Sequence, residues 1–318
     1  MAIKSKTTII LGAGASYPYG FPLGTELLKQ IIELKGNSDF LSKLETAFPG
    51  PMGKTSKPSA QEEYQELTDL LERSGLQSID AFMVAQPKMA EKSKFAIAYL
   101  LLHCEEKNPN VNAEKNRGDW YRYLYNEYLS GASAPSIKAI IDNEVRFITF
   151  NYDVSLERFF FNALDSKFGR SDALLFFKSI PIKHIHGKIR ILPWEAGTTA
   201  ADFLFHLDTA KIKEYSQGIN YVHENKNDSS MDATRALLTD SENIVFLGFG
   251  YDQRNVEILR VDWHRANTHF YGTFFGMEEG EVEKKLRLVG VKNGGNFTCG
   301  KTDDDSFVFL KKIANKIN

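Results

Sequence analysis

Cysteine is nearly absent from this chain: its 318 residues include two, Cys104 and Cys299, far apart in sequence. Two such thiols cannot build a disulfide framework, nor a zinc site based on paired cysteines. Both read as buried thiols in a reducing cytoplasm. A dominant charge is lacking too. With 39 Lys and Arg against 41 Asp and Glu, the formal net charge is −2. That balance supplies no general attraction for a nucleic acid or an anionic membrane. Long apolar runs are also missing, since no stretch approaches the roughly 20 residues that span a bilayer. Lys4 and Lys6 precede only the short run Thr7–Leu11, which meets glycines and does not read as a signal peptide. The expectation is a cytoplasmic protein with no direct nucleic-acid binding and no membrane association.

What remains is an ordinary globular composition, 42% hydrophobic and 25% charged, enough to bury a substantial core. Thr7–Leu11 is a continuous β-branched and apolar run, the pattern of a strand buried on both faces. Leu27, Leu28, Ile31, Ile32 and Leu34 then recur at helical spacing. From about Asn37 to Pro58 the pattern weakens and reads as a loop marked by Gly50, Pro51 and Gly53. Residues 60–130 change character, with helical spacing around Leu67–Leu71, Phe95–Leu102 and Trp120–Leu129. Strand patterns resume at Val145–Phe150, Ile180–Ile185, Asn243–Phe249 and His269–Phe275. Helical patterns follow at Asn255–Trp263 and Phe307–Ile317, and Asn225–Ser230 reads as a polar loop. The expected architecture is α/β: a Rossmann-like, doubly wound, mostly parallel sheet in one domain over 1–318, with a helical insertion at about 60–130.

Ligands in such folds bind beyond the carboxyl ends of the strands, and three polar motifs follow apolar runs there. The first is Gly12-Ala13-Gly14-Ala15-Ser16, whose glycines permit close backbone approach to a pyrophosphate or simply make a tight turn. The hydride-transfer pattern GxGxxG would need glycine where Tyr17 stands, which disfavours an ordinary dehydrogenase. Gly20-Phe21-Pro22 shortly afterwards suggests a structured covering segment. Gly53-Lys54-Thr55 resembles the end of a P-loop, but Phe48 occupies the position of its first glycine. The second motif is Thr149-Phe150-Asn151-Tyr152-Asp153, where Asp153 suits a helix cap as readily as a ligand contact. The third is His184-Ile185-His186-Gly187, with an imidazole suited to general-base chemistry near neutral pH. A His-x-His pair is half a metal site, but no further ligands stand at convincing spacing.

In this order the residues resemble the sirtuin-like family: a Gly-Ala-Gly-x-Ser turn with Gly-x-Pro, then Thr-x-Asn-x-Asp, then His-Gly. Gln77-Ser78-Ile79-Asp80-Ala81-Phe82 is similar to a segment in the helical region of bacterial members. Val245-Phe246-Leu247-Gly248-Phe249 with Asp252 is similar to their late strand. The resemblance spans about residues 7–265. It departs from the protein-deacylating branch, which carries a four-cysteine zinc module and Asp-Phe-Arg where this chain has Leu23-Gly24. It is closest to the bacterial branch that hydrolyses NAD⁺, often as a toxic effector of antiviral defence.

The resemblance implies NAD⁺ as substrate, no metal, and cleavage to ADP-ribose and nicotinamide. It implies a site in which the amides of Gly12, Ala13, Gly14, Ala15 and Ser16 bind the pyrophosphate, with Phe21, Pro22, Thr149 and Gly248 around the nucleotide. Asn151 would hold the ribose and orient water, Asp153 would grip the carboxamide, and His186 would act as base. Asp252 and Asn255 would meet the adenosine end or cap the following helix. Alternatives are a non-catalytic module that senses NAD⁺ or ADP-ribose for a partner, and an ADP-ribosyltransferase. Because unrestrained NAD⁺ hydrolysis would kill a host, an off state lifted by homo-oligomerisation or by a regulatory partner (ATPase or Argonaute-like) is expected.

Overall fold

The run Thr7–Leu11 forms strand β1, and all five of its residues are buried. Alternate side chains enter different layers. Ile9 and Leu11 join one apolar core and Ile10 joins a second, as a strand covered on both faces requires. Five further strands follow: β2 (Val145–Thr149), β3 (Ile182–His184), β4 (Asn243–Leu247), β5 (His269–Gly272) and β6 (Phe297–Cys299). The order is β3-β2-β1-β4-β5-β6, and every pair is parallel. Helices flank this single sheet, giving a Rossmann-like α/β fold. The computed structural model describes residues 3–49, 58–129, 133–192, 194–195, 208–221, 228–261, 267–289 and 296–317. Among them no helix is long and apolar enough to cross a membrane.

Two stretches expected as loops contain helix. Ser38–Ala47 is helical because Asn37, which reads as a breaker, caps it: its side chain accepts from the Phe40 amide at 2.9 Å. Phe40 and Leu44, four residues apart, then bury completely. Helix Asp228–Thr239 begins inside the polar stretch Asn225–Ser230, whose first three residues lie outside those described. The Gly53-Lys54-Thr55 segment also lies outside them, as does Trp263. The helix expected to reach Trp263 spans Gln253–Leu259 and stops at the left-handed Arg260. Strand β6 escapes sequence reading because three residues on a sheet edge make no apolar run. Of the two thiols expected to be buried, Cys104 is half-buried and Cys299, at the end of this edge strand, is exposed.

Between β1 and β2 lie the helices Ala60–Ser74, Ile79–Ala85 and Ala90–Lys107 and the short turn Trp120–Tyr123. Their apolar faces (Leu67, Phe82, Phe95, Leu102 and Trp120) merge with the core that contains Ile9 and Phe147. A buried ion cluster reinforces this junction. Glu105 stands with Oε2 at 3.6 Å from both Arg158 Nη1 and Arg190 Nε, and all three side chains are at most 4% exposed. Burial pushes the Glu105 carboxyl up, opposed by Arg190 and then Arg158. Removing the shared anion takes away the negative charge that both buried arginines face. Glu105→Ala is therefore expected to cost about 3–5 kcal/mol in urea unfolding; a loss below about 1 kcal/mol would show that the cluster carries no such weight.

Candidate active site

Strand register brings the three sequence motifs to one level. Leu11 pairs with Thr149 and with Leu247, and Thr149 pairs with His184. The turns that follow β1, β2, β3 and β4 therefore open side by side at the carboxyl end of the sheet. Between β1 and β4 the strand order reverses direction, the place where doubly wound sheets form a crevice. A cavity of about 960 Å³ lies there, lined by Gly12, Ser16, Asn151, Asp153, His186 and Gly248 among others. Ala13, Gly14, Phe21, Pro22 and Asp252 also line it. Ala15 and Thr149 are buried without lining it.

The glycine turn works differently from its expected role. The Gly12 amide donates to Leu247 O at 3.1 Å, Gly14 to Gly248 O at 3.0 Å, and Ala15 to Gly12 O at 2.9 Å. Those three amides are engaged within the protein, and of the five expected pyrophosphate donors Ala13 and Ser16 stand outside these bonds. The glycines serve a close crossing of two backbones. A Cβ on Gly12 would lie 2.5 Å from Gly248 O, and one on Gly14 would lie 2.8 Å from Gly248 Cα. Ala15 O accepts the indole N–H of Trp120 at 2.7 Å, so the helical insertion clamps the same turn.

Asn151 is locked by both amide hydrogens. Its Nδ2 donates to Gly12 O at 3.0 Å and to Ser16 Oγ at 3.2 Å, and its backbone N–H donates to Thr149 Oγ1. With the nitrogen committed, Oδ1 is the atom Asn151 can offer a ligand. It can accept from a water or a hydroxyl.

Asp153 is 7% exposed and accepts at Oδ1 from the amide and the hydroxyl of Ser155. The Tyr121 hydroxyl, from the insertion, meets the same Ser155 Oγ at 2.7 Å. Burial pushes the Asp153 carboxyl above its ordinary range, and hydrogen bonds from Ser155 and Ser16 only partly oppose it. The folded protein then holds this proton to higher pH than the unfolded chain, so stability falls as pH rises through that window. Asp153→Asn keeps the acceptor for Ser155 and removes the charge. It is expected to raise Tm at pH 8 and to lose that advantage below about pH 4; a lower Tm at pH 8 would contradict the assignment.

His186 is 4% exposed, and Gly187 beside it has φ +68°. A Cβ on Gly187 would lie 2.0 Å from Gly218 O, and the Asn220 amide donates to His186 O at 2.8 Å. The imidazole lies edge-on to Phe150, centroids 5.5 Å apart. Its Nε2 stands 3.4 Å from Asn255 Oδ1, long enough for a hydroxyl or water to displace Asn255. His184 faces elsewhere. Its Nδ1 donates to Asn151 O at 3.0 Å and its Nε2 meets Glu157 Oε1 at 2.7 Å. Despite burial, the His184 charge and hydrogen bond hold Glu157 below the usual carboxylate range. The His-x-His pair is therefore split between a cavity role and a buried hydrogen bond to Glu157. Among the described residues no group of three or more His, Cys, Asp or Glu could hold a metal.

Asp252 caps the helix Gln253–Leu259, accepting from the Arg254 amide at 2.9 Å, and also lines the cavity. Asn255, expected at the adenosine end or as a helix cap, lines the cavity and faces His186. Sequence reading missed Tyr152, whose hydroxyl donates to Asp80 across the cavity wall. Only the adjacency of Tyr152 to Asn151 and the Ser-Ile-Asp segment pointed towards this pair. Residues 75–81 of the insertion line the cavity with it. Arg254 and Lys285 at the β4–β5 side carried no motif at all. The chain matches no family model and no curated protein.

Proposed function

We propose that this cavity takes NAD⁺ and hydrolyses the bond between nicotinamide and ribose. The observation that carries the reading is the convergence of Asn151, Asp153 and His186 on one cavity at the strand-order reversal, beside the glycine turn. A volume of about 960 Å³ suits a dinucleotide. The glycosidic C1′–N bond breaks with its electron pair moving to the nicotinamide nitrogen, which cancels the ring's positive charge. Water oxygen bonds to C1′. Asn151 Oδ1 accepts from that water and fixes its direction, while His186 receives the released proton and passes it to solvent. The products are ADP-ribose, nicotinamide and one proton. Asp153, raised by burial, meets the carboxamide end.

This activity fits a regulated effector of bacterial antiviral defence, kept silent until a homo-oligomer or a regulatory partner completes it. One observation favours a second reading, a non-catalytic NAD⁺ or ADP-ribose sensor: His186 and Asp153 are only 4% and 7% exposed. Incubation with NAD⁺ labelled on the adenosine separates these. Hydrolysis releases nicotinamide and free labelled ADP-ribose. Label on protein or nucleic acid would indicate ADP-ribosyl transfer instead. Binding with no release, at any protein concentration and with candidate partners added, would favour the sensor.

A further inference from the structure

The charged groups on the cavity wall are unequally occupied. Four carboxylates line it, and each is engaged by protein: Asp80 by Tyr152, Asp153 by Ser155, Asp252 by the Arg254 amide, and Asp305 by the Val308 amide at 2.8 Å. Three basic side chains besides His186 line it too, Arg117, Arg254 and Lys285. Arg117 is held, donating to Tyr17 O at 3.1 Å, pairing with Glu114 at 3.0 Å and stacking over the Tyr17 ring at 3.8 Å. The side chains of Arg254 and Lys285 have no hydrogen bond or ion pair among the described residues. They come from different elements, the helix after β4 and the helix Glu279–Leu288 after β5.

We infer that Arg254 and Lys285 bind the diphosphate of the dinucleotide. The inference rests on the proposed function and adds the phosphate-binding groups to it. Two facts meet here. The turn cannot supply its Gly12, Gly14 and Ala15 amides, which donate to Leu247, Gly248 and Gly12 carbonyls. The Gly248 amide is also taken, donating to Thr273 Oγ1 at 2.8 Å. With these four amides engaged, side-chain donors gain weight for a dianionic ligand, and the cavity cations without a partner among the described residues lie on the β4–β5 side. With the nicotinamide ribose at Asn151 and His186 after β2 and β3, the rest of the dinucleotide extends in that direction. A guanidinium offers a bidentate fork and an ammonium a compact charge, both suited to phosphate oxygens.

Calorimetric titration with ADP-ribose and, separately, adenosine tests this without requiring turnover. Wild type should bind ADP-ribose. Arg254→Gln and Lys285→Gln should each weaken it by about tenfold or more, with adenosine affinity unchanged. Rising salt should weaken ADP-ribose binding to wild type more than to the double variant. Both side chains are at least partly exposed, so neither change threatens the fold. Wild-type ADP-ribose affinity in both variants would overturn the inference and leave the nucleotide site standing. Absence of ADP-ribose and adenosine binding to wild type would overturn the inference together with the proposed function.

Discussion

Asn151→Ala is expected to reduce nicotinamide release from NAD⁺ by about 10²–10³-fold, the loss that follows removal of one oriented polar group from a reacting centre. The prediction rests on geometry instead of motif. Asn151 Nδ2 is fixed between Gly12 O and Ser16 Oγ, so Oδ1 has a defined position before substrate arrives. Alanine removes the acceptor that aims the water and, at once, one of the two donors to the Gly12 carbonyl. Asn151→Asp separates these contributions. It restores an acceptor but cannot donate to Gly12 O, so it should remain impaired while binding ADP-ribose more weakly through added negative charge. His186→Ala should show a comparable loss in release, with ADP-ribose binding largely kept. Release at the wild-type rate by Asn151→Ala, assayed by chromatography, would remove Asn151 from the mechanism.

Gly248→Ala should lower the unfolding free energy by about 2–5 kcal/mol, from left-handed strain and overpacking together. Gly248 has φ +57°, and a Cβ there would lie 2.1 Å from Ala15 N and 2.2 Å from Gly14 C. Those are backbone atoms of the turn after β1, which is held by β1 pairing, by Asn151 and by Trp120. They have no free rotamer with which to yield. The damage should extend to the site, because parting these two turns displaces Gly12 O from Asn151. Gly280→Ala is the control. Gly280 lies in helix Glu279–Leu288 with nothing within 4 Å of the added Cβ, and alanine there should be neutral or slightly stabilising. Urea titration of the two variants side by side checks this; equal midpoints would show that the two turns do not cross as tightly as the distances require.

Much of the frame was legible because burial on both faces leaves a strong local trace. Thr7–Leu11 emerges from sequence with its observed bounds, and β2 and β4 differ from expectation by one or two residues at their ends. The three polar motifs are legible for the same reason, since each follows such a run and the register levels their ends. Helix Ser38–Ala47 was hidden because Asn37 is both a loop former and a cap, and only the buried pair Phe40 and Leu44 decides between them.

The sequence by itself determined the parallel α/β frame and the grouping of Gly12–Ser16, Asn151, Asp153 and His186, since these depend on local apolar runs and the turns after them. Tertiary structure alone decided which atoms of that group remain available. The Gly14 amide is consumed by Gly248 O, far along the chain; Asn151 Nδ2 by Gly12 O; and Asp252 by its own helix, while Arg254 and Lys285 have no side-chain partner among the described residues. Hydrogen-bond donors and acceptors saturate with whatever the fold places beside them. A motif therefore states which groups are present, and only the packed neighbours determine which are still free to meet a ligand.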